Sequence, residues 1–415
     1  MWKDVATKGG QRHPLVRRTA LFLVVLVLVL AAELHGRSQN PAAGMSAEHQ
    51  ESVALYAEAL DVVGKAYLYR QALDPEEQAR GAIRGMVDSL GDKWHTRFEP
   101  PDEVGKNVEG YSSTYVGIGV RLKDKGDEVV VLTPIEGSPA EEAGIESGDV
   151  VTAVDGASVQ GKDIVEVNEK LEGPQGKRVG LSVLRDEEER EFSVERAEID
   201  VPAASWNLIP GTDVAHLKLA SFSDNSAAEL DEAIGEAQEA GAKRFVLDLR
   251  DNPGGWREQA EKVTARFLPA GSKTYIQRDA DGNEEKGIVP DNAEPLDVPL
   301  VVLVNVGSTS SAEVVAGALK DNDRAKLVGG KTSGTGTVLE EHPLSDGSAI
   351  LLAVAEWLTP NGDSIRGSGI EPDIKAGLDR GQKPRGPDEV RGLPKETLFA
   401  KDAQIERAFE VLHRE

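Results

Sequence analysis

Apolar and polar residues follow three different patterns along the chain, and each predicts a different kind of structure. From about residue 47 to residue 90, apolar residues recur at every third or fourth position, which is the period of an amphipathic helix. Between about 112 and 197, short apolar runs alternate with glycine-rich turns, which indicates short strands, the first of them over 116–120. A helical pattern spans 164–171 in the same region. From 198 to about 378, continuous apolar runs alternate with helical patterns. The chain is therefore expected to be a multidomain α/β protein.

These patterns divide the chain into regions. We expect a helical N-terminal region over 47–110, a β-barrel-like domain over 111–197, an α/β core over 198–380 and a C-terminal tail over 381–415. Within the first region, Asp74 and Pro75 predict a helix start, because aspartate caps helices and proline suits the first turn. Gly91 predicts the end of that helix. The tail is rich in proline, glycine and lysine, with a weak helical pattern over 397–412.

The first 36 residues resemble an export signal and are not expected to belong to the fold. The basic residues that precede the apolar run are Lys3, Lys8, Arg12, Arg17 and Arg18. The run from Ala20 to Ala32 would span only about 20 Å as a helix, whereas a bilayer core is roughly 30 Å thick. This pattern predicts a signal peptide. No clean small-residue cleavage site follows, so retention as a membrane anchor is the alternative. Either case predicts export across the inner membrane, to a periplasmic or membrane-anchored location.

The composition excludes several classes of function. The formal net charge of −25 argues against a nucleic-acid partner, because phosphates would be repelled by most of the surface. The chain has no cysteine, which excludes disulfides, thiolate nucleophiles and cysteine-ligated metals. Its 7 histidines form no pair with the spacing of a metal motif. We therefore expect neither a metal nor another cofactor.

Three segments of the β-rich region carry a recognisable motif. They read V-G-I-G at 116–119, S-P-A-E-E-A-G-I at 138–145 and G-D-V-V-T-A-V-D-G at 148–156. This series resembles a PDZ domain of the type found in bacterial proteases. The resemblance implies that Gly117, Ile118 and Gly119 bind the terminal carboxylate of a peptide, which would add a strand to the neighbouring sheet edge. The expected partners are C-terminal peptides of unfolded or exported proteins.

The α/β region carries a second set of motifs, on three ordered segments. They begin with D-L-R-D-N-P-G-G at 248–255, V-N-V-G-S-T-S-S-A-E at 304–313 and G-G-K-T-S-G-T-G-T-V at 329–338. Together they resemble the carboxy-terminal processing peptidases, a family of serine peptidases. The resemblance implies that Ser310 is the nucleophile. The N–H groups of Ser311 and of Gly254 or Gly255 are expected to stabilise the oxyanion. Glu313, in the first turn of the helix, is expected to cap it.

The third segment departs from the family pattern at the general base. The family has a lysine there, usually supported by a glutamine four residues later, whereas this chain has Thr335 and Leu339. A threonine hydroxyl cannot accept a proton usefully near neutral pH, and Lys331 lies up to about 13 Å away along an extended chain. His95 is an alternative base. It lies in a segment that resembles the family's L-x-D-P-Y-S-R-Y motif, and the following Thr96 gives the H-T pair of tricorn-type relatives, which pair serine with histidine.

Two functions follow from this departure. In the first, the chain is a serine endopeptidase that binds C-termini through the PDZ domain and cleaves with Ser310. In the second, the chain is a catalytically impaired relative that acts as a PDZ peptide-binding adaptor. The retained Ser310 and the glycine pair favour the first, whereas Thr335 and Leu339 favour the second.

Overall fold

A computed structural model describes residues 46–92, 95–105, 113–126, 128–135, 137–380, 382–387 and 393–414. Its helices are α1 (Ala47–Ala66), α2 (Pro75–Asp88), α3 (Pro139–Glu142), α4 (Ile164–Leu171), α5 (Ser226–Glu239), α6 (Arg257–Ala265), α7 (Ser311–Asp321), α8 (Lys395–Lys401) and α9 (Ala403–Leu412). A short 3-10 helix spans Arg70–Ala72.

The strands are β1 (Arg97–Glu99), β2 (Thr114–Gly117), β3 (Val120–Lys125), β4 (Glu128–Pro134), β5 (Val150–Val154), β6 (Ala157–Ser158), β7 (Arg178–Arg185), β8 (Glu188–Glu195), β9 (Ala197–Asp200), β10 (Ala204–Leu208), β11 (Val214–Leu219), β12 (Arg244–Asp248), β13 (Lys273–Asp279), β14 (Glu284–Ile288), β15 (Leu300–Val304), β16 (Lys326–Gly329), β17 (Thr337–Pro343), β18 (Ala349–Leu358) and β19 (Ile374–Lys375). The mixed α/β class that the sequence predicts is confirmed.

The described residues up to Ala82 form one compact unit, and those from Ile83 onward form a second. In the first unit, Ser46 caps α1 by accepting a hydrogen bond from the His49 N–H, and Asp74 caps α2 as the sequence predicts. No helix among the described residues is both long enough and apolar enough to cross a bilayer. The apolar run at 20–32, with its predicted signal peptide, lies outside those residues.

In the second unit, residues 113–200 form a small β-rich domain. Its main sheet has the order β3-β4-β5-β7-β8, with the short β6 paired to β5, and β2 pairs separately with β9. The domain has its own core, which includes Ile118, Val131 and Val167. The sequence predicts one strand over 116–120, and this prediction is wrong. The strand breaks at Ile118 and Gly119, because Gly119 has a φ of 82°, which an extended strand cannot accommodate.

The α/β core is built on a six-stranded sheet in the order β10-β11-β12-β15-β16-β19. The strands from β11 to β19 are parallel, and only the edge strand β10 is antiparallel. Helices α5, α6 and α7 pack on one face. Such a sheet gathers the carboxyl ends of its strands at one edge, where α/β proteins place their functional sites. Strand β15 is fully buried and leads to this edge just before α7.

The C-terminal segment packs on the other face of the same sheet. Side chains of α9, including Ile405 and Leu412, are buried against Val301 and Val328 of the sheet. The boundary that the sequence suggests at 380/381 therefore does not mark the edge of the packed core. The weak helical pattern over 397–412 becomes two helices, which are separated at Asp402.

A buried charge network joins this C-terminal segment to the sheet. The Arg250 guanidinium, fully buried, donates to Asp248 (2.7 and 2.9 Å) and to Asp402 (2.9 and 3.1 Å). Burial acts to raise the pKa of Asp248, but Arg250, Lys218 and His216 hold this pKa well below its usual value. Asp402 also caps α9, since it accepts from the N–H groups of Gln404 and Ile405. Arg250 directly precedes the loop at 251–255. The network therefore fixes the position of the chain where that loop begins.

Candidate active site

Ser310 occupies a strained turn between β15 and α7. Its φ of 51° and ψ of −119° lie outside the regions that residues with a side chain usually adopt. Strain of this kind is concentrated at functional sites, where the surrounding structure enforces it. The Ser310 N–H donates to Glu313 Oε2 at 3.1 Å, which holds the turn in place. Ser310 thus lies at the carboxyl edge of the sheet and at the N-terminus of a buried helix.

The glycine pair at 254–255 lies directly against this turn. A Cβ atom on Gly254 would be 2.8 Å from Ser310 Cβ, and one on Gly255 would be 2.4 Å from the Phe222 carbonyl oxygen. Both positions therefore require glycine. The Ser311 hydroxyl donates to the Gly255 carbonyl at 2.8 Å, which ties the loop to the start of α7.

The N–H groups of this loop differ in their availability. The Gly254 N–H donates to Asn252 Oδ1 at 2.8 Å, so it is already engaged. The N–H groups of Gly255 and Ser311 have no acceptor among the described residues. Unpaired N–H groups at a helix N-terminus favour a developing negative charge. Of the three predicted oxyanion donors, the N–H groups of Gly255 and Ser311 are therefore the two that are available to bind an oxyanion.

Glu313 connects the serine turn to the third motif. Its carboxylate is fully buried and accepts from Thr332 Oγ1 (2.6 Å) and from the N–H groups of Gly334 (2.7 Å) and Thr335 (2.8 Å), in addition to Ser310. The predicted capping role is therefore present. The bonds to residues 332–335 are an addition that the sequence did not predict, because they depend on the tertiary arrangement.

The positions of the family base hold no usable base. The Thr335 hydroxyl is buried and has no hydrogen-bond partner, and Leu339 is half-exposed on β17. Lys331 is half-exposed and pairs with Glu371 at 3.4 Å on the surface. Among the described residues, no hydrogen bond joins the Ser310 hydroxyl to a lysine or a histidine.

His95 lies on the sheet that carries the third motif. It lies two residues before β1, which pairs with β18, and β18 pairs on its other side with β17. The N–H of Ala353 on β18 donates to Thr96 Oγ1 at 3.0 Å. On the other side of β18, Leu339 of β17 is paired with Ala353. The segment of His95 and the segment of the missing base are therefore one strand apart.

The surroundings of His95 favour a neutral imidazole. Burial lowers the pKa of His95, and Arg366 adds to this effect, whereas Asp92 and Glu313 oppose it. Nδ1 is buried and lacks a hydrogen bond, and Asp92 Oδ1 lies 3.7 Å from it. A neutral histidine beside a carboxylate is suited to accept a proton at neutral pH.

The predicted peptide-binding loop joins β2 to β3 in the small β-rich domain, and its residues Gly117, Ile118 and Gly119 are buried. The Ile118 carbonyl accepts from the Ala140 N–H at 2.8 Å, and the Gly119 carbonyl accepts from Ser138 Oγ at 3.0 Å. These bonds turn both carbonyls inward, toward helix α3. Strand β3, which follows the loop, forms an edge of its sheet and packs beside α4. An open strand edge beside a helix can accept an extended peptide.

Comparisons with known proteins agree with both motif sets. Residues 213–376 match the model of peptidase family S41, and residues 116–195 match that of the PDZ domain. The chain is 33% identical to the carboxy-terminal processing protease CtpA of Bacillus subtilis (strain 168), over 87% of this chain and 78% of the relative. It is 34% identical to a "Probable CtpA-like serine protease" of Staphylococcus aureus (strain COL), over 90% of this chain and 73% of the relative.

Two solved structures are similar in fold. The photosystem II D1 C-terminal processing protease has 30% identity and a TM-score of 0.50, over 85% of this chain and 100% of that one. A putative S41 protease from Bacteroides fragilis NCTC 9343 has a TM-score of 0.52 at 18% identity, over 77% of this chain and 90% of that one, and it shows the fold alone.

Proposed function

Since this chain belongs to peptidase family S41 and carries a PDZ domain, we propose that it is a carboxy-terminal processing endopeptidase in which Ser310 is the nucleophile and His95 the general base. One observation carries this assignment of the base. The His95 side chain is largely buried beside Asp92, with Nδ1 3.7 Å from Oδ1, in a segment that is hydrogen-bonded to β18, one strand away from the position of the family base.

The proposed reaction uses Ser310, His95, Asp92 and two main-chain N–H groups. His95 accepts the Ser310 proton as Oγ attacks the peptide carbonyl carbon. The negative charge that develops on the carbonyl oxygen is stabilised by the N–H groups of Gly255 and Ser311. The protonated imidazole then donates to the leaving amine, and a water molecule deprotonated by the same residue hydrolyses the acyl-enzyme. Asp92 orients the ring and stabilises the imidazolium.

The PDZ domain would select the substrate. A peptide C-terminus would place its carboxylate against the loop at 117–119 and extend along β3. The substrate class is therefore unfolded or exported polypeptides with a free C-terminus. A charge-assisted hydrogen bond contributes about 1.5–3 kcal/mol, so a free carboxylate is worth roughly 10- to 100-fold in affinity.

We expect the full-length chain to bind a peptide with a free, apolar C-terminal residue, and amidation of that terminus to weaken binding by roughly 10- to 100-fold. Amidation removes the charge that the loop N–H groups stabilise. Fluorescence anisotropy with a labelled peptide would measure the two dissociation constants. Acetylation of the peptide's N-terminus is the matched control, which should leave the affinity unchanged. Equal affinities for the free and amidated peptides would contradict the proposed role of the loop.

A second function is favoured by the unpartnered Thr335 hydroxyl and by the absence, among the described residues, of a base that contacts Ser310. In that case the chain is a peptide-binding adaptor on an inactive core. The two functions differ in one observable. An adaptor would bind free C-termini without cleaving them, whereas a peptidase would do both.

We further propose that the chain acts outside the cytoplasm. The support is the N-terminal sequence, in which basic residues precede the apolar run at 20–32. Exported proteins would then be the substrates that the PDZ domain encounters.

A further inference from the structure

Arg366 places an exposed positive charge beside the proposed base. Its side chain is 52% exposed, and one guanidinium nitrogen lies 3.4 Å from Asp92 Oδ1. His95 Nδ1 lies 3.7 Å from the same oxygen atom. Because both groups contact one oxygen, the guanidinium is no farther from His95 Nδ1 than these two distances together. Arg366 and His95 therefore compete for Asp92 Oδ1, while Oδ2 accepts from Thr96 Oγ1 at 2.9 Å.

The main chain at Arg366 is fixed on the segment that carries the third motif. The Gly367 N–H donates to the Gly334 carbonyl at 2.9 Å, and a Cβ atom on Gly336 would be 2.6 Å from the Arg366 nitrogen. The same segment donates two N–H groups to Glu313, the carboxylate that holds the serine turn. Arg366 thus belongs to a loop that is bonded to the serine side of the site, while its side chain contacts the partner of the base.

Most of the hydrogen-bonding capacity of the Arg366 guanidinium is unused. A guanidinium is a planar fork of N–H donors that matches the two oxygens of a carboxylate. Among the described residues, its one charged partner is Asp92, and no hydrogen bond joins the two. Arg97, another arginine whose charge acts on His95, is instead engaged by Glu99 at 2.7 Å. Arg366 is therefore the arginine near the base that is available to an incoming anion.

We propose that Arg366 is a specificity-determining residue, whose guanidinium binds a carboxylate of the polypeptide substrate close to the scissile bond and thereby releases Asp92 Oδ1 to His95. This inference rests on the proposed function, in which His95 is the base. An extended peptide advances about 3.3 Å per residue, so the carboxylate would belong to a residue within about three positions of the scissile bond. It would come from an acidic side chain or from the chain's own terminus.

The exchange would couple substrate recognition to catalysis. The substrate carboxylate neutralises the arginine, and Asp92 is left to orient the imidazole and to stabilise the imidazolium that forms as Ser310 attacks. An acidic substrate should therefore raise kcat as well as lower KM, because an interaction that strengthens in the transition state raises kcat.

The test uses pairs of peptides with a free C-terminus that differ by one glutamate or glutamine, placed in turn at each of the three positions on either side of the cleaved bond. Full-length wild type should cleave the glutamate form at one or more positions with about 3- to 10-fold higher kcat/KM, and part of the gain should be in kcat. Arg366→Gln should abolish this preference, and Arg366→Lys should keep part of it. Arg244→Gln is the matched control and should keep all of it, since Arg244 also pairs with an aspartate, Asp213 at 2.8 Å, but at the amino end of β12.

A shorter peptide distinguishes the two sources of the carboxylate. Its own C-terminus lies within three positions of the cleaved bond, and it is compared in free and amidated forms. A preference for the free form that Arg366→Gln abolishes, without any preference for glutamate, would assign the carboxylate to the chain terminus. A preference for glutamate alone would assign it to a side chain.

The pH profile gives a readout that a merely structural role of Arg366 would not move. The charged groups that act on the pKa of His95 are Asp92, Arg366, Glu313 and Arg97. The positive charge of Arg366 lowers this pKa, so Arg366→Gln should shift the midpoint of the rising limb of kcat/KM to higher pH for the glutamine peptides. Arg366→Lys keeps the charge and should keep the midpoint.

Other outcomes would overturn the inference in distinguishable ways. Cleavage by wild type without preference for any carboxylate would overturn it, while the proposed peptidase function would stand. A preference that persists in Arg366→Gln would mean that another residue binds the carboxylate. A preference confined to KM would overturn the release of Asp92. Failure of the folded wild type to cleave any of the peptides would overturn the proposed function together with this inference.

Discussion

His95→Gln is expected to lower the rate of peptide cleavage by about 10²- to 10⁴-fold, which is the usual contribution of a positioned general base. Glutamine has a similar size and can form hydrogen bonds, but it cannot accept the Ser310 proton. The rate constant for cleavage of a peptide with a free C-terminus would measure the loss. His342→Gln is the matched control, because His342 also lies 3.7 Å from a carboxylate, that of Glu340, yet on the exposed part of β17. Its rate should equal that of wild type.

The same assay distinguishes a histidine base from a lost lysine base. Thr335→Lys combined with Leu339→Gln restores the residues of the family pattern. If His95 is the base, this double variant should add little to a wild type that already cleaves. An inactive wild type that the double variant activates by about 10²- to 10⁴-fold would contradict the assignment of His95. It would support the adaptor function for the natural chain.

Asp402→Ala is expected to lower the free energy of unfolding by about 3–5 kcal/mol, because it leaves part of the buried Arg250 charge without its partner. The variant also loses the cap of α9. Urea denaturation followed by circular dichroism would measure the change. The loop at 251–255 follows Arg250, so the variant should lose cleavage activity together with stability.

A surface charge on the same helix is the control for this variant. Glu410→Ala breaks an exposed pair with Arg407 and should change stability by no more than about 0.5 kcal/mol. Asp402→Asn keeps the acceptor oxygen that caps the helix, so its free energy of unfolding should fall between those of the two alanine variants. Equal stability of Asp402→Ala and Glu410→Ala would show that the buried network does not anchor the C-terminal segment.

Local signals in the sequence predicted much of the fold. Asp74 caps its helix, helix α4 has the predicted bounds of 164–171, and a fully buried strand leads to the turn at Ser310. These features depend on residues close together in the chain, so their pattern suffices. The break at Ile118 and Gly119 was missed, because alternating apolar residues and glycines are compatible with both a strand and a loop.

The missed features of the candidate site depend on distant residues. Glu313 bonds residues about twenty positions later, and Asp402 pairs with an arginine more than 150 positions earlier. Such distant pairs produce no periodic pattern along the chain, so the sequence pattern could not predict them. The sequence singled out His95 from its resemblance to a motif, but only the pairing of β1, β18 and β17 brings it near the third motif.

The central claim, that Ser310 is an activated nucleophile with a histidine base, is tested most directly by labelling it with a fluorophosphonate probe across a range of pH. The account predicts that the wild type is labelled at Ser310, as located by mass spectrometry, and that Ser310→Ala is not. Because the pKa of His95 is lowered from about 6.5, the labelling rate should rise with pH to a midpoint below that value and stay constant through neutral pH. The imidazole accepts a proton only above its pKa. Folded wild type that stays unlabelled throughout this range would contradict the account.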